Sequence, residues 1–417
     1  MNIAIPFSLS VCFILNPFVA FCFSLYLLAK QKYVSICSFI CICFAGLFGY
    51  TFFPASNMDI TRHYVTYDDL TNIVSFSDFI FYESLVEKPD LLIDLVYWLV
   101  GKIIDTHQVI GFLGASLYYG LMFGVIKHCC SLFANNMRQT YKFFLFLLLA
   151  FLSLTIIYDF SVMRQGNAIL LFLFIITIPS YRISELKRVL LLLLPCLLHF
   201  SLYPIVFLYL CTYILKRRTI FMLFVCMIIC YFFFPIIMHT AMNVCNSVGG
   251  PFAGVAEKID IYMFSGKLSV LLFSGSRIRF VLIIFLFIFI FPILVYLVEK
   301  KSTNIFTNSL LSRFHYFSIL FAGYLIMSSS TYILSRNLVL FKFIIGIYLM
   351  NVVFTLPLKE YLKNFLLGVI VGIWLLGIVS FYHGRDYRCI NTTLFYSNIF
   401  NILAVKTNPA GYSYTFN

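Results

Sequence analysis

The sequence predicts an all-α, polytopic integral membrane protein with about 10 to 12 transmembrane helices, one broken or re-entrant helix pair and an outer-face amphipathic helix. Three observations predict it. Of the 417 residues, 62% are hydrophobic and only 11% charged, a balance that no soluble domain of this length can hide from water. Apolar runs of about 20 residues recur from end to end, each long enough to cross a hydrocarbon core of roughly 30 Å as a helix. No internal repeat, low-complexity linker or soluble appendage interrupts them, so residues 1–417 read as one polytopic membrane domain.

The expected spans lie near 5–29, 34–53, 108–127, 142–158, 162–179, 219–238, 280–298, 314–333, 337–356 and 364–382. The first run lacks a basic leader and a small-residue cleavage site, so it reads as a retained span. Orientation follows from Lys and Arg, which cytoplasmic loops retain. With the N-terminus outside, 16 basic residues, among them Lys30, Lys127, Arg138, Arg188, Lys216 and Arg313, share one side with only three acids, Glu185, Glu299 and Glu360. The outer segments are then 54–107, 239–279 and the tail 383–417. The net charge of +13 is thus spread by topology and forms no contiguous nucleic-acid patch. Most cysteines fall inside apolar runs as small buried hydrophobes. Cys245 and Cys389 alone fall in outer segments, either as a disulfide or as two thiols.

Two segments depart from simple crossing. Residues 90–107 place Asp90, Asp94, Tyr97, Gly101 and Asp105 on one helical stripe against Leu91, Leu95, Trp98, Leu99 and Ile103, the pattern of a helix lying in the interface. Residues 189–215 carry basic clusters at both ends, and Pro195 and Pro204 bracket His199 and Ser201. Two half-helices meeting at His199 and leaving from the cytoplasmic side fit this better than one tilted span, because irregular backbone at membrane depth needs protein or water beside it.

Soluble-enzyme signatures for ATP-driven and zinc chemistry are absent. What remains is a set of ionisable residues near the outer face, where an arginine at helix centre costs about 2.5 to 3.5 kcal/mol and so needs partners. In NMDITRHYVTYDDL, residues 57–70, Asp59, Arg62, His63, Tyr64 and Tyr67 combine groups suited to gripping phosphate and stacking on sugar rings. A solvated loop held by an Asp59–Arg62 pair is the plainer alternative. Arg164, in YDFSVMRQGNAILL, shares a face with Asn167, either snorkelling outward or accepting an anionic headgroup. His199 is either a satisfied core histidine or a site residue. Arg277 and Arg279 precede the span 280–298 against the positive-inside trend, and Arg336 lies between the spans 314–333 and 337–356; interfacial anchoring is the alternative for each. For Arg313 and Tyr316, topology suffices.

These pieces carry a resemblance. The D-I-T-R-H-Y segment after span two, V-M-R-Q-G-N-A at span five, L-L-H-F-S-L in the broken helix and R-F-H-Y-F opening the span 314–333 resemble, in order and spacing, the EpsG family of membrane polysaccharide polymerases, related in function to Wzy-type O-antigen polymerases. The resemblance implies a glycosyltransferase-type polymerase of the bacterial inner membrane that joins undecaprenyl-diphosphate-linked repeat units at the periplasmic face, for O-antigen or related surface polysaccharide. It also implies membrane lipids and a chain-length regulator protein as partners, and no nucleic acid. Because a lipid diphosphate is already a good leaving group, cations and one base suffice, with no cofactor or metal. Arg164, Arg277 and Arg279 then bind diphosphate, Arg62, Arg336, Asn167 and Tyr67 line the substrate, and His199 or Asp59 is the base.

Two other classes compete. Arg188 and His199, ten residues apart between them, resemble an Arg-x10-His pattern of membrane O-acyltransferases that modify glycans, but residues 1–29 carry no charge where that family's N-terminal motif belongs. A lipid-linked oligosaccharide flippase or other transporter explains buried cations as a headgroup path, although transporters usually show internal repeats.

Overall fold

The computed structural model describes residues 4–54, 59–82, 91–133, 163–263, 309–328 and 391–406, together with single positions between 337 and 368. Every regular element among them is a helix. The expected spans 142–158 and 280–298 lie outside the described residues, and 337–356 and 364–382 are described only at scattered positions. The chain forms two compact units interleaved in sequence. One comprises Met1–Phe79, Leu92–Phe174 and Leu367–Asn417, and the other Ile80–Leu91 and Ile175–Leu366.

In the first unit, the N-terminal apolar run is two helices, α1 (Ala4–Leu15) and α2 (Pro17–Ala29), and not one uninterrupted span. Pro17 has no N–H to continue the ladder, and Asn16 caps the restart by accepting a hydrogen bond from the Val19 amide at 3.0 Å. α3 (Val34–Tyr50) packs against α7 (Gln108–Phe133) at very short range. A Cβ on Gly49 would sit 2.1 Å from the Gly111 carbonyl oxygen, so neither position tolerates a side chain. Between them in sequence lie α4 (Asp59–Thr71), α5 (Phe76–Phe81) and α6 (Leu91–Gly101). Residues 391–406 add α16 (Thr393–Tyr396) and α17 (Ile399–Leu403), whose Leu394 and Ile402 bury against Phe44 and Leu47 of α3. Gln108 ties this tail down, its Nε2 donating to the carbonyls of Tyr50 and Val405, each at 2.9 Å.

Helix α8 (Met163–Thr177) begins in the first unit and ends in the second. The second unit continues with α9 (Glu185–Leu191), α10 (Leu193–Leu198), α11 (Leu202–Ile214), α12 (Arg217–Cys230), α13 (Phe234–Val248), α14 (Pro251–Met263) and α15 (Ser309–Met327). The expected span 219–238 is divided at Tyr231–Phe233, where Pro235 opens α13. The segment 189–215 is broken where its prolines dictate. Pro195 and Pro204 each fall in the first turn of a short helix, and the chain between them is extended at His199 (φ −155°, ψ 119°).

Among the described residues, two helices, Gln108–Leu132 and Leu310–Met327, are long and apolar enough to cross a membrane. Six shorter apolar helices accompany them, so the expected 10 to 12 full spans are not matched one for one by the described residues.

Candidate functional site

Among the described elements of the first unit, helix α4 carries a chemically rich polar face. Its apolar and aromatic residues recur at Ile60, His63, Tyr64, Tyr67 and Leu70, the spacing of one buried helical stripe, and all five are buried. Asp59 stands in the first turn, where the helix dipole favours an acid. From there its carboxylate reaches two residues of its own helix. Oδ1 accepts from the Arg62 guanidinium at 2.7 Å, and Oδ2 lies 3.2 Å from His63 Nε2. Since a carboxylate only accepts, Nε2 carries the proton of this pair and Nδ1 is the basic nitrogen of the neutral ring.

Helix α6 supplies the facing wall. Its polar stripe does not look to water: Asp94 and Tyr97 are both 2% exposed, while Leu99 and Ile103 are 51% and 85% exposed. The stripe lies on α4, with the Tyr97 ring edge-on to His63 at 5.7 Å and to Tyr67 at 6.2 Å. Trp98 Nε1 donates to the Ile73 carbonyl at 3.0 Å, and a Cβ on Gly101 would meet Thr71 Cγ2 at 2.5 Å, so the two helices are seated closely.

The third contributor is the N-terminal turn of α8. Met163 fills the space left by Gly114 of α7, and Asn167 Nδ2 donates to the Gly114 carbonyl at 3.3 Å. This docking holds the intervening Arg164 half-buried, within electrostatic reach of Asp59, His63 and Tyr97. Burial pushes the Asp59 carboxyl up, but the His63 hydrogen bond and the charges of His63, Arg164 and Arg62 outweigh it and hold the group well below the usual carboxylate range. Burial pushes His63 down, and Arg164 adds to that effect against the pull of Asp59 and Asp94. At neutral pH the cluster is therefore an ionised acid, a neutral imidazole and two guanidinium cations.

The structure thus brings Asp59, Arg62, Arg164, Asn167 and Tyr67 into one unit, with different occupations. Arg62 keeps 75% of its side chain exposed. Tyr67 is fully buried, its hydroxyl donating to the Ile104 carbonyl. Asn167 Oδ1 is buried with no hydrogen-bond partner. Arg277, Arg279, Arg336 and Cys389 lie outside the described residues, and Cys245 forms no disulfide among the described cysteines. His199 belongs to the second unit, 4% exposed, stacked on Phe200 at 5.2 Å. Its Nδ1 accepts from the Ser201 amide at 3.3 Å and lies 2.7 Å from the Ser201 hydroxyl, which makes Nε2 the protonated nitrogen. His63, grouped with Asp59 and Arg62 in the sequence though not chosen there as the base, joins the site, and Asp94 and Tyr97, read there only as an interfacial stripe, complete it. The i, i+4 spacing of Asp59 and His63 was the available signal for their pairing.

Arg188 has a different fate from the one topology or an acyltransferase pattern gives it. It is fully buried, donating from Nη1 to the Ile175 carbonyl and from Nη2 to the Ile178 carbonyl, each at 2.7 Å, and from Nε to Glu185 at 3.3 Å. The same Glu185 oxygen takes Arg313 at 2.6 Å and the Tyr213 hydroxyl at 2.7 Å.

Fold and site together define a helical membrane protein with a carboxylate–imidazole pair that Arg62 contacts and Arg164 influences electrostatically. The EpsG family matches residues 34–397, most of the chain, and the protein belongs to that family, which includes Wzy-like polymerases of polysaccharide biosynthesis. No curated protein and no solved structure matches the chain.

Proposed function

We propose that this EpsG-family protein polymerises lipid-linked glycan repeat units at the outer face of a bacterial inner membrane, for O-antigen or a related surface polysaccharide. The donor is a glycan on undecaprenyl diphosphate, and the acceptor is a sugar hydroxyl of the next lipid-linked unit. The acceptor oxygen bonds to the anomeric carbon of the donor, the bond from that carbon to the diphosphate breaks, and the hydroxyl proton passes to a base. The observation that carries the reading is the Asp59–His63 pair with Arg62 and Arg164 beside it.

Each group suits one part of the step. Arg164 and the exposed Arg62 stabilise the charge that grows on the departing diphosphate. Asp59 already accepts from two donors and is held ionised, so it is a weak base and a good orienting partner. His63, neutral and with Nδ1 as its acceptor nitrogen, is the better base. His199 has its own acceptor nitrogen engaged by Ser201, which favours His63 over it. This chemistry calls for no metal. The topology expected from the basic residues, with 54–107 and the start of α8 outward, supports the reading, because lipid-linked units would then meet these groups at the outer face.

The test is direct. Purified protein in lipid, given a lipid-linked repeat unit, should yield a ladder of longer lipid-linked chains. Movement of the unit across the bilayer without new linkages would instead identify a transporter and reject the reading.

A further inference from the structure

Tyr97 is 2% exposed and its hydroxyl has no hydrogen-bond partner among the described residues, although a phenol taken out of water without one carries a desolvation cost. Buried tyrosines ordinarily find a partner for the O–H. Here the ring is fixed edge-on between His63 and Tyr67, on the face of α6 that packs against α4, so the hydroxyl has little freedom to seek one elsewhere. Its surroundings are of mixed charge: the Arg164 guanidinium lies within electrostatic reach of the hydroxyl, and so do the Asp94 and Asp59 carboxylates.

We propose that the Tyr97 hydroxyl donates a hydrogen bond to a phosphate oxygen of the lipid-linked substrate beside Arg164. This rests on the polymerase reading above and adds to it a neutral donor from α6, an element that carries no cation in the site. Burial pushes the phenol well above its ordinary value, so it stays protonated and can only donate to an anion. A diphosphate offers acceptor oxygens in excess of what two guanidinium groups can satisfy, and a fixed O–H supplies direction where a charge supplies none.

Tyr97→Phe removes only the oxygen, and farnesyl diphosphate serves as the probe on the purified full-length protein in lipid. Wild type should bind it, with farnesol as the control for the chain alone. Tyr97→Phe should bind about tenfold more weakly, the effect of one lost hydrogen bond to a charged group, at an unchanged or higher melting temperature. Equal affinity of Tyr97→Phe and wild type overturns the proposal and leaves the polymerase reading standing. A lower melting temperature with equal affinity overturns it too, since that is a structural role. Wild type that fails to bind the probe also overturns it, and glycan polymerisation by the same preparation then decides whether the broader reading falls with it.

Discussion

Two arginine clusters, one in each unit, use the same residue types to opposite ends. Around Arg188 the guanidinium fork is spent on the protein itself: all three of its nitrogens donate, two of them to carbonyls at the end of α8, and the side chain is fully buried. Such a fork closes helix-terminal carbonyls, of which the one at Ile175 also takes a long bond from the Ile178 amide at 3.4 Å. Around Asp59 the guanidinium of Arg62 makes one ion pair on its own helix and otherwise faces outward, 75% exposed. The difference teaches that a cation in a membrane protein is read by what its donors already hold. A saturated fork fixes the fold, and an open one can meet an anion.

The largest effect should come from the saturated cluster. Arg188→Ala takes the short donor contacts from the Ile175 and Ile178 carbonyls at the end of α8, while Glu185 keeps Arg313 and Tyr213, a loss of about 1 to 3 kcal/mol for each buried acceptor left unsatisfied. Folded protein should nearly vanish from detergent extracts, as size-exclusion chromatography would report. Normal yield of an active Arg188→Ala protein would erase the contrast between the clusters.

Within the α4 cluster, His63→Gln keeps the donor to Asp59 but removes the basic nitrogen. Turnover should fall about 100- to 10,000-fold, the range of general acid–base catalysis, with folded yield retained. The same variant tests the pH dependence. His63 is held below its ordinary value of 6.5 by burial, so the unfolded chain takes up the proton first, and wild-type stability should be full above pH 6.5 and decline below it. Asp59, held below its ordinary 3.8, gives stability that is present above that value and lost only as pH falls further. Melting curves of His63→Gln should be flatter between pH 6.5 and the onset of carboxylate protonation. An unchanged slope means that His63 is not the titrating group.

Arg164→Ala should lower polymerisation about 100- to 1000-fold, the cost of losing a charged contact made mainly in the transition state. Arg164→Lys keeps the charge without the planar fork and should fall between. Wild-type chain lengths from Arg164→Ala at normal expression would remove it from the site. The smallest effect belongs to Arg62→Ala. An exposed pair of this kind is worth about 0 to 1 kcal/mol of stability, so the melting temperature should hardly move. Substrate capture should weaken a few-fold at low salt, and the difference should shrink as ionic strength rises. A salt-independent defect would point to a structural role for Arg62.

Local chemistry explains which of these features were legible in the sequence. The all-helical membrane class follows from composition, and the break at His199 follows from Pro195 and Pro204, because a missing N–H interrupts a helix whatever surrounds it. The buried stripe of α4 is written at its own spacing, and so is the Asp59–Arg62 pair. The inward turn of Asp94 and Tyr97 and the saturation of Arg188 were not legible. A polar stripe looks the same whether it faces water or a neighbouring helix, and an arginine near basic loop residues looks cytoplasmic whether or not carbonyls await it. Only tertiary packing decided these, by placing α4 against the polar face of α6 and the end of α8 against the fork of Arg188. Sequence carries the inventory of donors and acceptors, and which of them remain unspent depends on neighbours distant in the chain.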